Sequence, residues 1–138
     1  MRKIYFAIGL IALTVDLSAL NAPARAAVKG TFIGPGIYAT QDGCEKLKAL
    51  AAGGDKNVGT VPETLTEDGF SSWEGTCTFK SFTEKEKGRM WSAAMDCAEG
   101  ATEGPESDVF ERILDGSIKV TVMNSATTLV RCDTDKGK

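Results

Sequence analysis

The sequence predicts a mainly β domain: an antiparallel meander of six to eight strands closing into a small barrel or sandwich, with one short helix over about 42–52 and two disulfides. Three observations predict it. Four cysteines, Cys44, Cys77, Cys97 and Cys132, follow an N-terminal export pattern. Short stretches after residue 60 alternate apolar and polar residues with a period of two. Asp68-Gly69 and Asp115-Gly116 are hairpin-turn signals between such stretches.

The export pattern runs from Met1 to about Ala26. Arg2 and Lys3 supply the charged start, Ile4 to Val15 the apolar run, and Ala24-Arg25-Ala26 the small-residue cleavage site. Asp16 ends the apolar run well short of the roughly 20 residues that a bilayer span requires. The expectation is therefore a cleaved signal over 1–26 and a single domain over 27–138, periplasmic or secreted, with no stable membrane insertion. Export delivers thiols to an oxidising compartment, so the cysteines read as disulfides.

Along the mature chain, Val28 to Ile33 and Gly36 to Thr40 read as extended pieces around the turn residues Gly34-Pro35-Gly36. Asp42 and Glu45 have capping-box spacing. Cys44, Leu47 and Ala51 then share a helical face, and Gly53-Gly54 supplies the stop. Thr64-Leu65-Thr66 leads through Glu67-Asp68-Gly69 into Phe70 to Glu74. In Thr76 to Lys80 the alternation turns Cys77 and Phe79 inward. Glu84 to Gly88 reads as a solvated turn, and Arg89 to Ala98 as the returning strand with Trp91, Ala93, Met95 and Cys97 on its inner face.

Glu99 to Ser107, with Gly100, Gly104 and Pro105, reads as an acidic loop. Asp108 to Leu114 and Ser117 to Val122 form the strongest hairpin, with Ile118, Val120 and Val122 inward. Asn124 to Thr127 turns the chain into Thr128 to Cys132, whose expected inward residues are Val130 and Cys132. Asp133 to Lys138 is a polar tail.

The cysteine separations of 33, 20 and 35 residues lack the C-x2-4-C pairs of zinc sites and the C-x-x-C of redox dithiols. Two structural staples remain. Spacing leaves all three pairings open, with a preference for Cys44 with Cys77 and Cys97 with Cys132. No metal or other cofactor is expected.

There is no histidine, which removes the commonest general base and excludes any Ser-His-Asp or Cys-His site. Cleavage removes Arg2, Lys3, Arg25 and Asp16, taking 16 basic and 19 acidic residues to 13 and 18 and the net charge from −3 to −5. That balance opposes nucleic-acid binding. Carboxylates are the only plentiful catalytic candidates: Glu67, Asp68, Glu74, Asp96, Glu99, Glu103, Glu106, Asp108 and Glu111. Two of them facing each other could hydrolyse glycosides, but no spacing marks a pair. Trp73 beside Glu74, near a hairpin, is the candidate binding surface, with core packing as the competing role for Trp73.

At Gly36-x-Tyr38, Cys44, Glu74-Gly75-x-Cys77-x-Phe79, Cys97-x-x-Gly100 and Arg131-Cys132, the chain resembles small exported four-cysteine β proteins of uncharacterised function from Gram-negative bacteria. In general shape it is also similar to periplasmic inhibitors of C-type lysozyme. Those carry a Ser-Gly-x-x-Tyr inhibitory stretch that this chain lacks, so no inhibitory residue carries over. The expected function is a non-catalytic periplasmic binding or interaction module for a protein, glycan or small apolar ligand, including the inhibition of a cell-wall-degrading enzyme. The alternatives are a carboxylate-dependent hydrolase of envelope glycans and a structural envelope factor without ligand.

Overall fold

The computed structural model describes residues 27–54, 61–99 and 102–132. The expected signal over 1–26 and the expected polar tail after Cys132 lie outside them. Eight strands form a closed antiparallel barrel in chain order: β1 Tyr38–Ala39, β2 Thr64–Thr66, β3 Gly69–Ser71, β4 Gly75–Glu86, β5 Met90–Glu99, β6 Thr102–Arg112, β7 Ile118–Val122 and β8 Ser125–Arg131. β8 returns to β1 through Tyr38↔Arg131 and Ala39↔Val130, so the sheet has no terminal strand.

The predicted alternation holds where the core is made. Phe79, Trp91, Ala93, Met95, Ile118 and Val120 are buried inside the barrel, and Cys77 and Phe79 share the inner face of β4. The Asp68-Gly69 hairpin joins β2 to β3, as its turn signal predicts. Gly69 has φ 130°, and a Cβ there would lie 1.9 Å from the carbonyl oxygen of Cys77, so this hairpin needs glycine. β3 ends at Ser71, leaving Ser72 to Glu74 to the turn rather than to a strand.

Residues Val28 to Ile33 do not form the expected strand. They fold into an irregular segment with a turn at 31–33 that plugs one end of the barrel. Phe32 stacks on Trp91 at 5.2 Å and meets Phe79, Phe82 and Phe110 edge-on at 5.6, 5.0 and 5.4 Å. The Val28 N–H donates to the Phe79 carbonyl at 2.9 Å, and the Arg112 guanidinium donates to the carbonyls of Phe32 and Ile33. Burying an aromatic side chain outweighs the few ladder bonds a short strand would gain.

The helix α1 spans Gln41–Ala51, and its N-cap is Thr40, whose hydroxyl accepts the Gly43 N–H at 3.1 Å. Asp42 lies within the first turn, so it is not the cap. The helix lies against the outside of β1 and β8. A Cβ at Gly43 would come within 3.1 Å of the Ala39 Cβ, so glycine lets helix and wall approach closely. Cys44, Leu47 and Leu50 are half-buried, while Ala51 is exposed.

This placement corrects the reading of β8. Val130 and Cys132 do share a side, but it is the outer side under α1, and Leu129 is the residue that faces the interior. The disulfides follow: Cys44 joins Cys132, tying helix to wall, and Cys77 joins Cys97, directly opposite each other on β4 and β5. The preferred pairing of Cys44 with Cys77 and Cys97 with Cys132 is wrong because Cys77 lies inside the barrel and Cys44 outside it.

Two loops also come out shorter than predicted. β4 continues to Glu86, so the solvated turn shrinks to Lys87 to Arg89. The expected loop over Glu99 to Ser107 is instead mostly strand, paired with β5 from Glu99↔Thr102 to Met90↔Glu111. β7 pairs only Val109 to Arg112. Thr102 to Asp108 therefore has no second neighbouring strand among the described residues, and Pro105 is tolerated on such a one-sided strand. The last hairpin turns at Met123-Asn124, with β8 starting at Ser125.

Loop-closure entropy assigns about 4.5 kcal/mol to the bridge of separation 88 and about 3 kcal/mol to that of separation 20. Peptide mapping of the non-reduced protein should yield Cys44–Cys132 and Cys77–Cys97. In denaturant titrations, the Cys44→Ser/Cys132→Ser double variant should lose several kcal/mol; a Cys44–Cys77 peptide would contradict the fold.

Candidate functional site at the open end of the barrel

Phe32 and its aromatic partners fill the end where β4 turns into β5. The opposite end, where β3–β4, β5–β6 and β7–β8 turn, is differently lined. Along the inner face of β6, Phe110 sits in the core, and the next two inward positions are Asp108 and Glu106. A strand that buries Phe110 cannot turn Asp108 outward without a bulge, because side chains alternate.

Asp108 is 2% exposed, and its Oδ1 has no hydrogen-bond partner among the described residues. Burial, then the nearby negative charges of Glu106 and Glu63, push its carboxyl up to about 6. Asp108 and the half-buried Glu106, both from β6, thus lie together, and the exposed Glu63 of the segment entering β2 is near enough to act on Asp108.

They border a cavity of about 200 Å³ whose remaining wall is mainly Phe70, Val120, Val122 and Leu129. Outside it lies an open depression of about 430 Å³, bounded by Gly104 and Pro105 on β6 and by Val122 and Met123 across from them. Glu106 and Asp108 line both spaces. Met123 is fully exposed at this rim and takes φ 52°, a left-handed backbone that a non-glycine side chain adopts at some cost. The mouth combines acid at its floor with apolar walls and lip.

The Cys77–Cys97 bridge adjoins this floor, with the Cys97 sulfur 3.2 Å from Glu106 Oε2. A disulfide sulfur carries no proton to donate, so this is a contact rather than a hydrogen bond. Cys77, Cys97 and Glu106 have ligand atoms within 4.8 Å of one another, yet both sulfurs are consumed by the disulfide. Without thiolates this is no zinc centre.

Trp73 and Glu74 sit in the β3–β4 turn at this same end, Trp73 being 65% exposed and so not a core residue. The Ser72 hydroxyl accepts the N–H groups of Glu74 and Gly75 and shapes that turn. Neither Trp73 nor Glu74 lines the cavity or the depression.

Several other predicted carboxylates are engaged elsewhere on the surface. Asp68 pairs with Lys29, Asp96 with Lys80 at 2.9 Å, and Glu111 with Arg89 at 2.6 Å and Lys119 at 3.4 Å. The Arg89 and Lys119 hydrogen bonds hold the Glu111 carboxyl below its usual range. Glu63 escaped sequence reasoning, since nothing in its neighbourhood marks it until the barrel closes. Glu106 and Asp108 had a signal: Glu106-x-Asp108-x-Phe110 is one face of a strand.

Compared with protein-family models, with curated proteins and with solved structures, the chain matches none of them. The site must be read from its own chemistry.

Asp108 binds its proton more tightly folded than unfolded. As pH rises from about 4 to about 6 the unfolded chain releases that proton first, so the folded state loses stability across this window, with a constant cost of at most about 3 kcal/mol above it. Asp108→Asn should therefore stabilise the protein at pH 7.5 and leave it nearly unchanged at pH 4, as read by denaturant titration. A variant less stable than wild type at pH 7.5 would contradict the buried, unpartnered carboxyl.

Proposed function

We propose that this chain is a non-catalytic binding module of the periplasm or extracellular space, with its ligand site at the open end of the barrel. Two disulfides and no free cysteine among the described residues suit an oxidising compartment. No helix among the described residues is long and apolar enough to cross a membrane. The observation that carries the reading is the convergence of Glu63, Glu106 and Asp108 on an otherwise apolar cavity. A few polar groups set into an apolar concavity are the usual make-up of a ligand site, and an eight-stranded barrel is either filled by its own side chains or leaves room for one small ligand.

One observation favours a second reading. Glu106 beside an Asp108 carboxyl raised to about 6 is the kind of pair a glycan hydrolase uses. Access argues against it: Asp108, at 2% exposure, lies deeper than a glycosidic bond in a polymer can reach. Inhibition of a basic cell-wall-degrading enzyme is a specific form of the binding reading, to which the acidic mouth contributes electrostatic steering.

Reducing-end release from purified peptidoglycan tests the first division. No release is expected; release by wild type that is abolished in Asp108→Asn would replace the binding module with a hydrolase. In a turbidity assay with C-type lysozyme, slowed lysis that Glu106→Gln relieves is the outcome expected of an inhibitor, and undiminished lysis at micromolar protein removes that form.

A further inference from the structure

We infer that the free edge of β6, from Glu103 to Ser107, is a receptor for an extended basic peptide, which adds to it as a further strand beside the β7–β8 turn. That placement rests on the binding-module reading of the open end and names the class of partner.

The edge is defined by the register. In an antiparallel pair each residue directs its N–H and C=O to one side, and successive residues alternate. The Arg112 N–H donates to the Arg89 carbonyl at 2.8 Å, toward β5, and the Ile113 N–H donates to the Ser117 carbonyl at 2.9 Å, toward β7. The β5–β6 register runs from Glu99↔Thr102 to Met90↔Glu111 without a shift. Gly104, Glu106 and Asp108 therefore direct their main-chain groups to β5, while Glu103, Pro105 and Ser107 turn theirs the other way. β7 would meet them there, but its pairing with β6 stops at Val109↔Thr121 and the chain turns into β8 at Met123-Asn124. No backbone hydrogen bond joins Ser107 to Met123 among the described residues. The open depression of about 430 Å³ lies between them.

An extended backbone is the ligand such an edge takes, because its own N–H and C=O groups repeat at the spacing of the free ones. Pro105 withholds one donor, and Glu103 and Ser107 keep theirs. Charge sets the partner. The stretch from Thr102 to Asp108 holds Glu103, Glu106 and Asp108 with no Lys or Arg, and no basic residue lines the depression. A second copy of the chain would bring two such acidic stretches together, each with a donor missing at Pro105, which disfavours self-pairing. A Lys or Arg on the inward side of an added strand meets Glu106, with its stem against Val122 and Met123.

The test follows the backbone amides of the oxidised protein by nuclear magnetic resonance. In the free protein the Glu103 and Ser107 N–H groups should exchange with solvent far faster than those of Gly104, Glu106 and Asp108. Protection of Ser107 there would overturn the inference, and protection that grows with protein concentration would assign the edge to a second copy. The probe is an acetylated, amidated heptapeptide of alternating Lys and Thr. It should protect Ser107, and bind about tenfold more tightly than the same peptide methylated at every backbone nitrogen or its Glu/Thr counterpart. Ser107→Pro should abolish binding, and Pro105→Ala, which restores the missing donor, should tighten it several-fold; a folding defect would not produce both. No binding, equal binding of the methylated peptide, or indifference to both variants overturns strand addition. Shifts confined to Phe70, Val120 and Leu129 overturn it while leaving a ligand site in the cavity, and reducing-end release from peptidoglycan is the separate sign that the binding-module reading has failed.

Discussion

Two-residue periodicity along β6 governs the open end of this molecule. Because Phe110 belongs to the aromatic core, Glu106 and Asp108 must face the same way, and a closed barrel gives them no exterior to turn to. The Asp108 carboxyl is held against apolar walls, where water screens it less than it screens the surface pairs. The raised Asp108 carboxyl and its unsatisfied oxygen are consequences of that single register. A shift of one residue would place both carboxyls in solvent and Phe110 with them.

The two ends of the barrel are built differently. At one, Phe32 inserts among four aromatic rings and Arg112 ties its backbone down, so that end is filled by the chain's own N-terminal segment. At the other, packing gives way to carboxyls, a cavity and an exposed methionine turn. The bridges fall in keeping with this. Cys77–Cys97 pins β4 to β5 beside Glu106, and Cys44–Cys132 fastens α1 over the wall formed by Ala39 and Val130.

Much of the barrel was legible in the sequence because its signals are local. Alternation through Cys77 and Phe79, through Trp91 and Met95, and through Ile118 and Val120 directly encodes an inner face, and the Asp-Gly pairs encode turns. What was not legible depended on partners distant in the chain. Gly104 and Pro105 announce a loop, yet a long β5 extends pairing through them. Val130 and Cys132 look like core until a helix is laid over them. Phe32 reads as part of a strand until a ring of aromatics exists for it to fill. The candidate site fails to announce itself for the same reason: Glu63 and Asp108 are 45 positions apart and meet only when the barrel closes. Trp73, the residue that looks most like a recognition platform, occupies an exposed turn at the right end but outside the cavity.

The most direct check on this account is the ionisation of Asp108 itself, followed through its side-chain carboxyl carbon by nuclear magnetic resonance as pH is varied. An inward, desolvated carboxyl flanked by Glu106 and Glu63 should titrate near 6. A midpoint near 4, the value of a solvated aspartate, would mean that the group faces water and that the acidic mouth does not exist as described.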